Sequence, residues 1–292
     1  VICKLLMPQT KKKSFNQIKI HSQYSICEGA IKIENLKEYC KKNKIQSVGL
    51  SDTYNLSGAL EFSENISSVG TQPIIGSQIQ FKFKNTYGLI PLIAKNYVGY
   101  KNIIELSSKA YLENAGNDQP HCSTDDLIKY SEGIIVLSGA INNLIGNIYN
   151  KGLFEELDEL IILLNNNFKE NFYLEIQRHG DLNEKQFEIF NLNLSNKYQI
   201  PIIATNEVYY LDKEMHEAHD ALMCIGQKTY VNDQKRQKLT NNHYLKSSSE
   251  MAEIFKDLPE ALENNYNLPF RCNFRPIPSK PILPNISSGT AN

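Results

Sequence analysis

The sequence predicts an α/β protein, in which a β/α barrel is favoured over a sandwich and an open doubly wound sheet is the competing arrangement. Three observations carry this. Short apolar runs of strand length alternate with segments of helical period from about residue 18 to residue 224, giving six or seven strands interleaved with helices. Polar residues close several of those runs, as Asp52 does after Val48-Gly49-Leu50, and that end of a strand is where parallel α/β folds place their chemistry. No repeat of 20–50 residues is visible, and the dinucleotide fingerprint G-x-G-x-x-G and the phosphate loop G-x-x-x-x-G-K-[ST] are both absent.

Ile18, Ile20 and His21 belong to a first short strand, IKIHS. Ile33, Leu36 and Tyr39 form the buried stripe of a helix over 35–40 that runs into Lys41-Lys42. Residues 46–50 are the second strand, followed by Ser51-Asp52 and a turn at 53–55. Leu56, Leu60 and Phe62 mark one face of a short helix. Residues 74–83 and 89–94 are the next two strands, joined by a hairpin-like turn at 85–87. Over 97–110, Tyr100, Ile103, Ile104, Leu106 and Ala110 fall on one side of a helix. A polar loop spans 114–123, and Ser123-x-x-Asp126 has the form of a capping box opening a helix to Tyr130. GIIVL at 133–137 reads as a buried strand, with helices over 144–149 and 153–164 after it. Strand 172–176, helix 182–198 and strand 200–205 follow, the last ending in Asn206-Glu207. Residues 214–224 are helical, Ser247-x-x-Glu250 caps another helix, and a last one covers 260–264.

Composition narrows the function. The chain has 292 residues, 41% hydrophobic and 22% charged, with a formal net charge of -1. That is ordinary globular composition, and it argues against gripping duplex DNA along these residues alone, because such domains are usually clearly basic. Cysteines at 3, 27, 40, 122, 224 and 272 form neither a C-x-x-C pair nor a disulfide framework, which favours a reducing, cytoplasmic setting. The opening apolar run is too short for a membrane span and precedes its lysines, the wrong order for a signal peptide. Residues 1–14 are expected to be a disordered N-terminal segment, with Lys11-Lys12-Lys13 a solvated run. The proline-rich stretch from Arg271 reads as an extended linker.

His21, Asp52 and Glu207 each follow an apolar run, and a barrel would bring the three together as potential metal ligands for hydrolysis. The plainer alternative is three polar residues that cap strands. His216-Glu217-Ala218-His219 is not H-E-x-x-H, because its histidines are three apart, so an exposed or interface helix face is expected there. Glu175 and His179 bracket a strand end, where a polar turn is favoured over a catalytic dyad. There is no G-x-S-x-G elbow and no cysteine in an activating setting.

The successive stretches HSQYSICEGAIKI, SDTYNLSGALEFSE, QPIIGSQ, LIAKNYVGYKNIIELSSKAY, FYLEIQRHG, IPIIATNEVYYL and AHDALMCIGQ, taken together, resemble the N-terminal PHP (polymerase and histidinol phosphatase) domain of bacterial DNA polymerase III alpha subunits. The resemblance covers about residues 15–285. It implies a distorted seven-stranded (β/α) barrel of the PHP type, in which active members hold up to three metal ions on nine ligands at the C-terminal strand ends and hydrolyse phosphoesters. It assigns residues 15–270 to the PHP domain and 271–292 to a linker leading to a polymerase palm domain absent from these residues.

Residue by residue, the resemblance also implies loss of that centre. The first motif, H-x-H, reads Lys19-Ile20-His21 here, and the Asp-His pair reads Asp52-Thr53. Gln78 stands for a Glu, Leu89 for a His and Ala140 for a Cys, and the final D-x-H reads Glu207-Val208-Tyr209. His21, Asp52 and Glu207 remain as vestigial metal ligands, expected to be unoccupied. Lys19 adds a cation that opposes metal binding, and it is expected to pair with Asp52 or Glu207. The implied role is support of the polymerase core and docking of the proofreading exonuclease subunit, among other DNA polymerase III holoenzyme subunits. This fragment is expected to be inactive by itself and to need no cofactor. Magnesium and primer-template DNA belong to the missing polymerase domains. The alternative is a metal-dependent phosphoesterase or an intrinsic 3′–5′ exonuclease.

Overall fold

The computed structural model describes residues 13–114 and 119–280. Its strands are β1 (Gln17–Ile20), β2 (Ser47–Thr53), β3 (Gln72–Phe83), β4 (Thr86–Ala94), β5 (Cys122–Ser123), β6 (Ile134–Leu137), β7 (Phe172–Ile176), β8 (Ile202–Ala204) and β9 (Glu207–Val208). Its helices are α1 (Ile33–Asn43), α2 (Ala59–Ser68), α3 (Tyr97–Leu112), α4 (Thr124–Lys129), α5 (Leu144–Asn150), α6 (Phe154–Phe168), α7 (Glu184–Tyr198), α8 (His216–Gln227), α9 (Ser248–Ile254) and α10 (Pro259–Asn267). The helices expected from periodicity are present, with ends shifted by a few residues, as frayed termini allow.

The sheet runs in the order β8-β7-β6-β4-β3-β2-β1-β9, with β5 added beside β3. Its two end strands, β8 and β9, are separated only by Thr205 and Asn206. β8 pairs with β7 through Leu174 and Ile202, and β9 pairs with β1 through Lys19 and Glu207. One kinked stretch, 202–208, therefore joins both edges of the sheet and curls it into a barrel. With β8 and β9 taken as a single stave, the wall has seven. All neighbours are parallel except along β4, which is antiparallel to both β3 and β6. The barrel is thus an α/β fold with one antiparallel stave.

Two layers of side chains fill the interior. The lower layer is apolar: Ile18, Ile74, Ile93, Ile135, Leu137, Tyr173 and Ile203 form one cluster, joined by Leu268 and Cys272. The upper layer is polar and holds Lys19, His21, Gln78, Glu175 and Glu207. β1 spends three residue steps, Gln17 to Ile20, against two on β2, Val48 to Leu50. Such a bulge frees two successive residues from strict alternation. It lets Ile18 serve the apolar layer while Lys19, the next residue, serves the polar one. A second, larger apolar cluster lies between the sheet and the helices, with Leu36, Phe62, Phe81, Ile103, Leu160 and Phe172 fully buried in it.

Two helical faces differ from expectation. In α2 the buried residues are Ala59, Phe62, Ser63 and Ile66, while Leu60 is exposed and Leu56 precedes the helix. In α3 Ile103, Leu106 and Ala110 are buried but Ile104 is exposed, because Gly99 rather than Tyr100 makes the closest approach to the sheet. A Cβ on Gly99 would lie 1.8 Å from the Gly133 carbonyl oxygen. That contact is with backbone, so it does not yield easily. Gly99→Ala is therefore expected to destabilise the fold by about 3 kcal/mol, the upper end for overpacking, measurable by urea denaturation.

Beyond α10 the chain is extended from Cys272, as a proline-rich segment would be, but it is strapped to the barrel. Gln72 donates to the Pro269 and Cys272 carbonyls, Ser63 donates to the Pro276 carbonyl, and Phe274 packs against Tyr97 and Tyr100. Most of the expected disordered N-terminal segment, and the end of the linker from residue 281, fall outside the described residues. Among the described residues no helix is long and apolar enough to cross a membrane.

Candidate functional site at the barrel mouth

Lys19 is the centre of the polar layer. It is 1% exposed, and its Nζ lies 3.0 Å from Glu175 Oε1 and 3.3 Å from Glu207 Oε2. β1 carries the lysine, and β7 and β9 carry the carboxylates. Burial alone would lower the lysine pKa, but the charges of Glu175 and Glu207 outweigh it and hold the value above the ordinary one. Glu207 shows the reciprocal balance. Burial would raise its carboxyl, yet Lys19, then His21 and Gln78, keep it well below the usual range. Of the two partners expected for Lys19, Glu207 is correct and Asp52 is not; Glu175 takes its place. The polar turn expected at Glu175 and His179 does close β7, with both side chains buried.

Every acceptor position of Glu207 is engaged. His21 Nε2 donates to Oε1 over 3.0 Å, and the Gln78 carboxamide donates to the same oxygen. Gln177 reaches Oε2 at 3.4 Å beside Lys19. The His21 ring stacks on Tyr209 with centroids 4.3 Å apart. Glu175 in turn accepts from Gln177 and Thr205.

Asp52 is held apart from this group. It is fully buried, and its carboxylate accepts from the Ser22 amide, the Ser22 hydroxyl and the Ser25 hydroxyl, each over 2.7 Å. Burial raises its pKa, and those serine bonds oppose the rise. Its work in this geometry is to fold the loop after β1 against β2. The structure therefore joins His21 and Glu207 directly and links Asp52 to His21 through Ser25, whose hydroxyl lies 3.3 Å from His21 Nδ1.

Above the network opens a cavity of about 200 Å³ whose lining includes Leu89, Ala140, Tyr209, Glu207, Glu28 and His243. Leu89 and Ala140 offer no donor atom at this wall. Among the described residues, no group of three or more His, Cys, Asp or Glu side chains is placed to hold a metal ion. A divalent centre needs several free, convergent donors. The three expected ligands are committed elsewhere, His21 and Glu207 to each other and Asp52 to the serines of the loop after β1, so they do not fit such a group.

Sequence reasoning weighed Glu175 only at a strand end and passed over Glu28 and His243. Glu175 carried a signal: in FYLEI it shares the inward face with Tyr173, so a buried carboxylate needing a cation was readable. Glu28 and His243 gave none, since both lie in irregular segments. The exposed face expected at His216–His219 is present at Glu217 and Ala218 but not at His219. His219 is buried with its ring nitrogen against the Glu28 carbonyl, and Asp220 is clamped by both terminal nitrogens of Arg236. The loop after β1 covers His219 through the Glu28 bond. His179 is buried as well, stacked on His243 at 3.9 Å, its pKa held far down by burial and then by the nearby His243 and Lys246.

Comparison with known proteins bears on this architecture. Relatives named DNA polymerase III subunit alpha match nearly the whole chain. That of Caulobacter vibrioides is 34% identical over 97% of this chain and 26% of its own length. Those of Rickettsia prowazekii and Borreliella burgdorferi are each 38% identical over 94% of this chain, and 23% and 25% of their own. The chain thus spans about a quarter of the length of the curated relatives it matches, and is homologous to that part of them. The family model described as the PHP domain matches residues 17–179, more than half of the sequence and the whole run from β1 through β7. By that match, the chain belongs to the PHP domain family.

Proposed function

We propose that this chain is the N-terminal PHP module of a replicative DNA polymerase alpha subunit, and that an ion-pair network stands where active members of the family hold metal. One observation carries the second part: the Lys19 ammonium sits between Glu175 and Glu207, where a bound cation would otherwise balance their charge. The relatives' names and their extent of match support the first part. In this reading nucleotidyl transfer, magnesium and primer-template DNA belong to the rest of the polymerase. The barrel is a scaffold for the polymerase core and a docking module for the proofreading exonuclease among the other holoenzyme subunits, in the cytoplasm. The net charge of -1 suits a protein-binding surface better than a DNA grip.

The experiment is metal analysis of the purified chain, with nuclease and phosphatase assays in Mn²⁺ or Zn²⁺. The expected result is no stoichiometric metal and no metal-dependent hydrolysis. Activity that appears with metal and disappears in His21→Ala would instead establish a phosphoesterase or intrinsic 3′–5′ exonuclease working through His21, Asp52 and Glu207.

A further inference from the structure

The cavity at the barrel mouth carries more negative charge than its own residues balance. Glu28, Asp181 and Glu207 line it, and no Lys or Arg does. Lys19 lies beneath and is committed to Glu175 and Glu207. Among the described residues neither Glu28 nor Asp181 forms an ion pair with a lysine or arginine; Glu28 accepts only a hydroxyl bond, from Thr53 at 2.6 Å.

A second observation is independent of the acid cluster. His243 lines the same cavity with its side chain 4% exposed. Its Nδ1 lies 3.2 Å from the Glu207 carbonyl oxygen, which can only accept, so Nδ1 carries the proton. In the neutral ring Nε2 is then a bare acceptor. It is buried, has no hydrogen-bond partner, and lies 3.6 Å from Asp181 Oδ2, beyond hydrogen-bond reach. Two acceptors, one anionic, thus face the cavity side by side without a donor.

The rim supplies the third element. Ile26 and Leu182 are 82% and 86% exposed. Both stand in loops, within two residues of the lining residues Glu28 and Asp181. Exposed apolar side chains beside a charged pocket have the anatomy of an interface hot spot with its water-excluding ring. A guanidinium fits the chemistry better than an ammonium: it is planar, weakly hydrated, presents five donors in a fixed fork, and stacks on aromatic faces such as Tyr209.

We propose that the barrel mouth is a socket for an arginine side chain of a partner protein. The guanidinium bonds Asp181 and His243 Nε2, and Ile26 and Leu182 pack around its point of entry. The inference rests on the reading that no metal cluster fills the mouth.

The test titrates the 292-residue chain with the peptide acetyl-Leu-Arg-Leu-amide and with its citrulline counterpart, which keeps shape and loses charge. Binding is followed by calorimetry and by the NMR signals of the His243 ring. The arginine peptide is expected to bind about tenfold tighter than the citrulline one, about 1.4 kcal/mol, and to shift the His243 signals. Asp181→Asn is expected to abolish that preference, and Leu182→Ser to weaken both peptides alike. Equal binding of the two peptides, no binding at millimolar concentration, unmoved His243 signals, or a preference that survives Asp181→Asn would each overturn the socket. The two ideas fail separately. Metal in the purified chain sinks the reading beneath, whereas a metal-free chain indifferent to arginine sinks only this inference.

Discussion

Lys19→Met is expected to destabilise the barrel by about 3–5 kcal/mol, the loss that follows when one partner of a buried ion pair is removed. Methionine keeps most of the length and packing of the lysine stem, so the change is chiefly one of charge. In the parent, Nζ stands 3.0 Å from Glu175 and 3.3 Å from Glu207. Without it, two carboxylates share the barrel interior with no cation between them. Their hydrogen bonds from His21, Gln78, Gln177 and Thr205 remain, but neutral donors do not cancel two charges. Chemical denaturation reads the loss directly. Neutralising all three groups, in Lys19→Met/Glu175→Gln/Glu207→Gln, is expected to recover most of it, since removing a whole buried ion group is often neutral. A loss below about 1 kcal/mol in Lys19→Met would mean that the lysine is solvated like a surface ion pair rather than buried.

The pH dependence gives a second arm with a definite sign. Glu207 titrates well below its ordinary value in the folded chain. A lowered carboxyl contributes stability above the unfolded glutamate value, near 4.3, and that contribution is lost as pH falls through the folded value. Lys19, raised above its ordinary value, contributes fully at neutral pH and loses its contribution only as pH rises through the folded value. Both contributions vanish in Lys19→Met. The stability gap between parent and variant is therefore widest near neutral pH and narrows below about pH 4. Asp52, whose carboxyl is raised by burial, has the opposite sign, but it is present in both proteins and largely cancels in the difference.

The wall of the barrel was readable because strand alternation and helical period are local properties of sequence. Ile103, Leu106 and Ala110 fall on a helical stripe and are buried; Ile134 to Leu137 is an apolar run and is a buried strand. Ile104 fell near the same stripe and is exposed, because the close approach of Gly99 to Gly133 fixes how α3 turns on the sheet. Such a contact between distant backbones leaves no local trace. The mouth was legible only in outline. That Lys19 would meet a carboxylate followed from the resemblance, in which it stands at the first position of the family's H-x-H motif. Which carboxylate it meets depends on the bulge in β1 and on the kink at 205–206 that brings β9 beside it, and neither has a sequence signature here. His243 escaped notice for the same reason: it reaches the mouth from the segment between α8 and α9, through a bond to the Glu207 backbone.

Asp52→Ala is expected to destabilise by about 3 kcal/mol, because it leaves a buried amide and two hydroxyls without the charged acceptor they share. The amide of Ser22 and the hydroxyl of Ser25 both point at Oδ1, and the hydroxyl of Ser22 points at Oδ2. Asp52→Asn is expected to lose only about 1 kcal/mol. Its carbonyl oxygen can take the Oδ1 position, and the Ser22 hydroxyl can rotate to accept from the amide nitrogen. The ranking, Ala well below Asn, follows from hydrogen bonding alone and should be identical with and without a chelator in denaturation measurements. Hydrogen exchange at the Ser22 amide should speed up in Asp52→Ala and stay slow in Asp52→Asn, because the parent amide is tied to the carboxylate over 2.7 Å. A metal ligand behaves differently. If Asp52 held an ion, chelation would lower the stability of the parent towards that of both variants, and asparagine would fare nearly as badly as alanine. That pattern would return Asp52 to a metal centre and remove it from the architecture of the loop after β1.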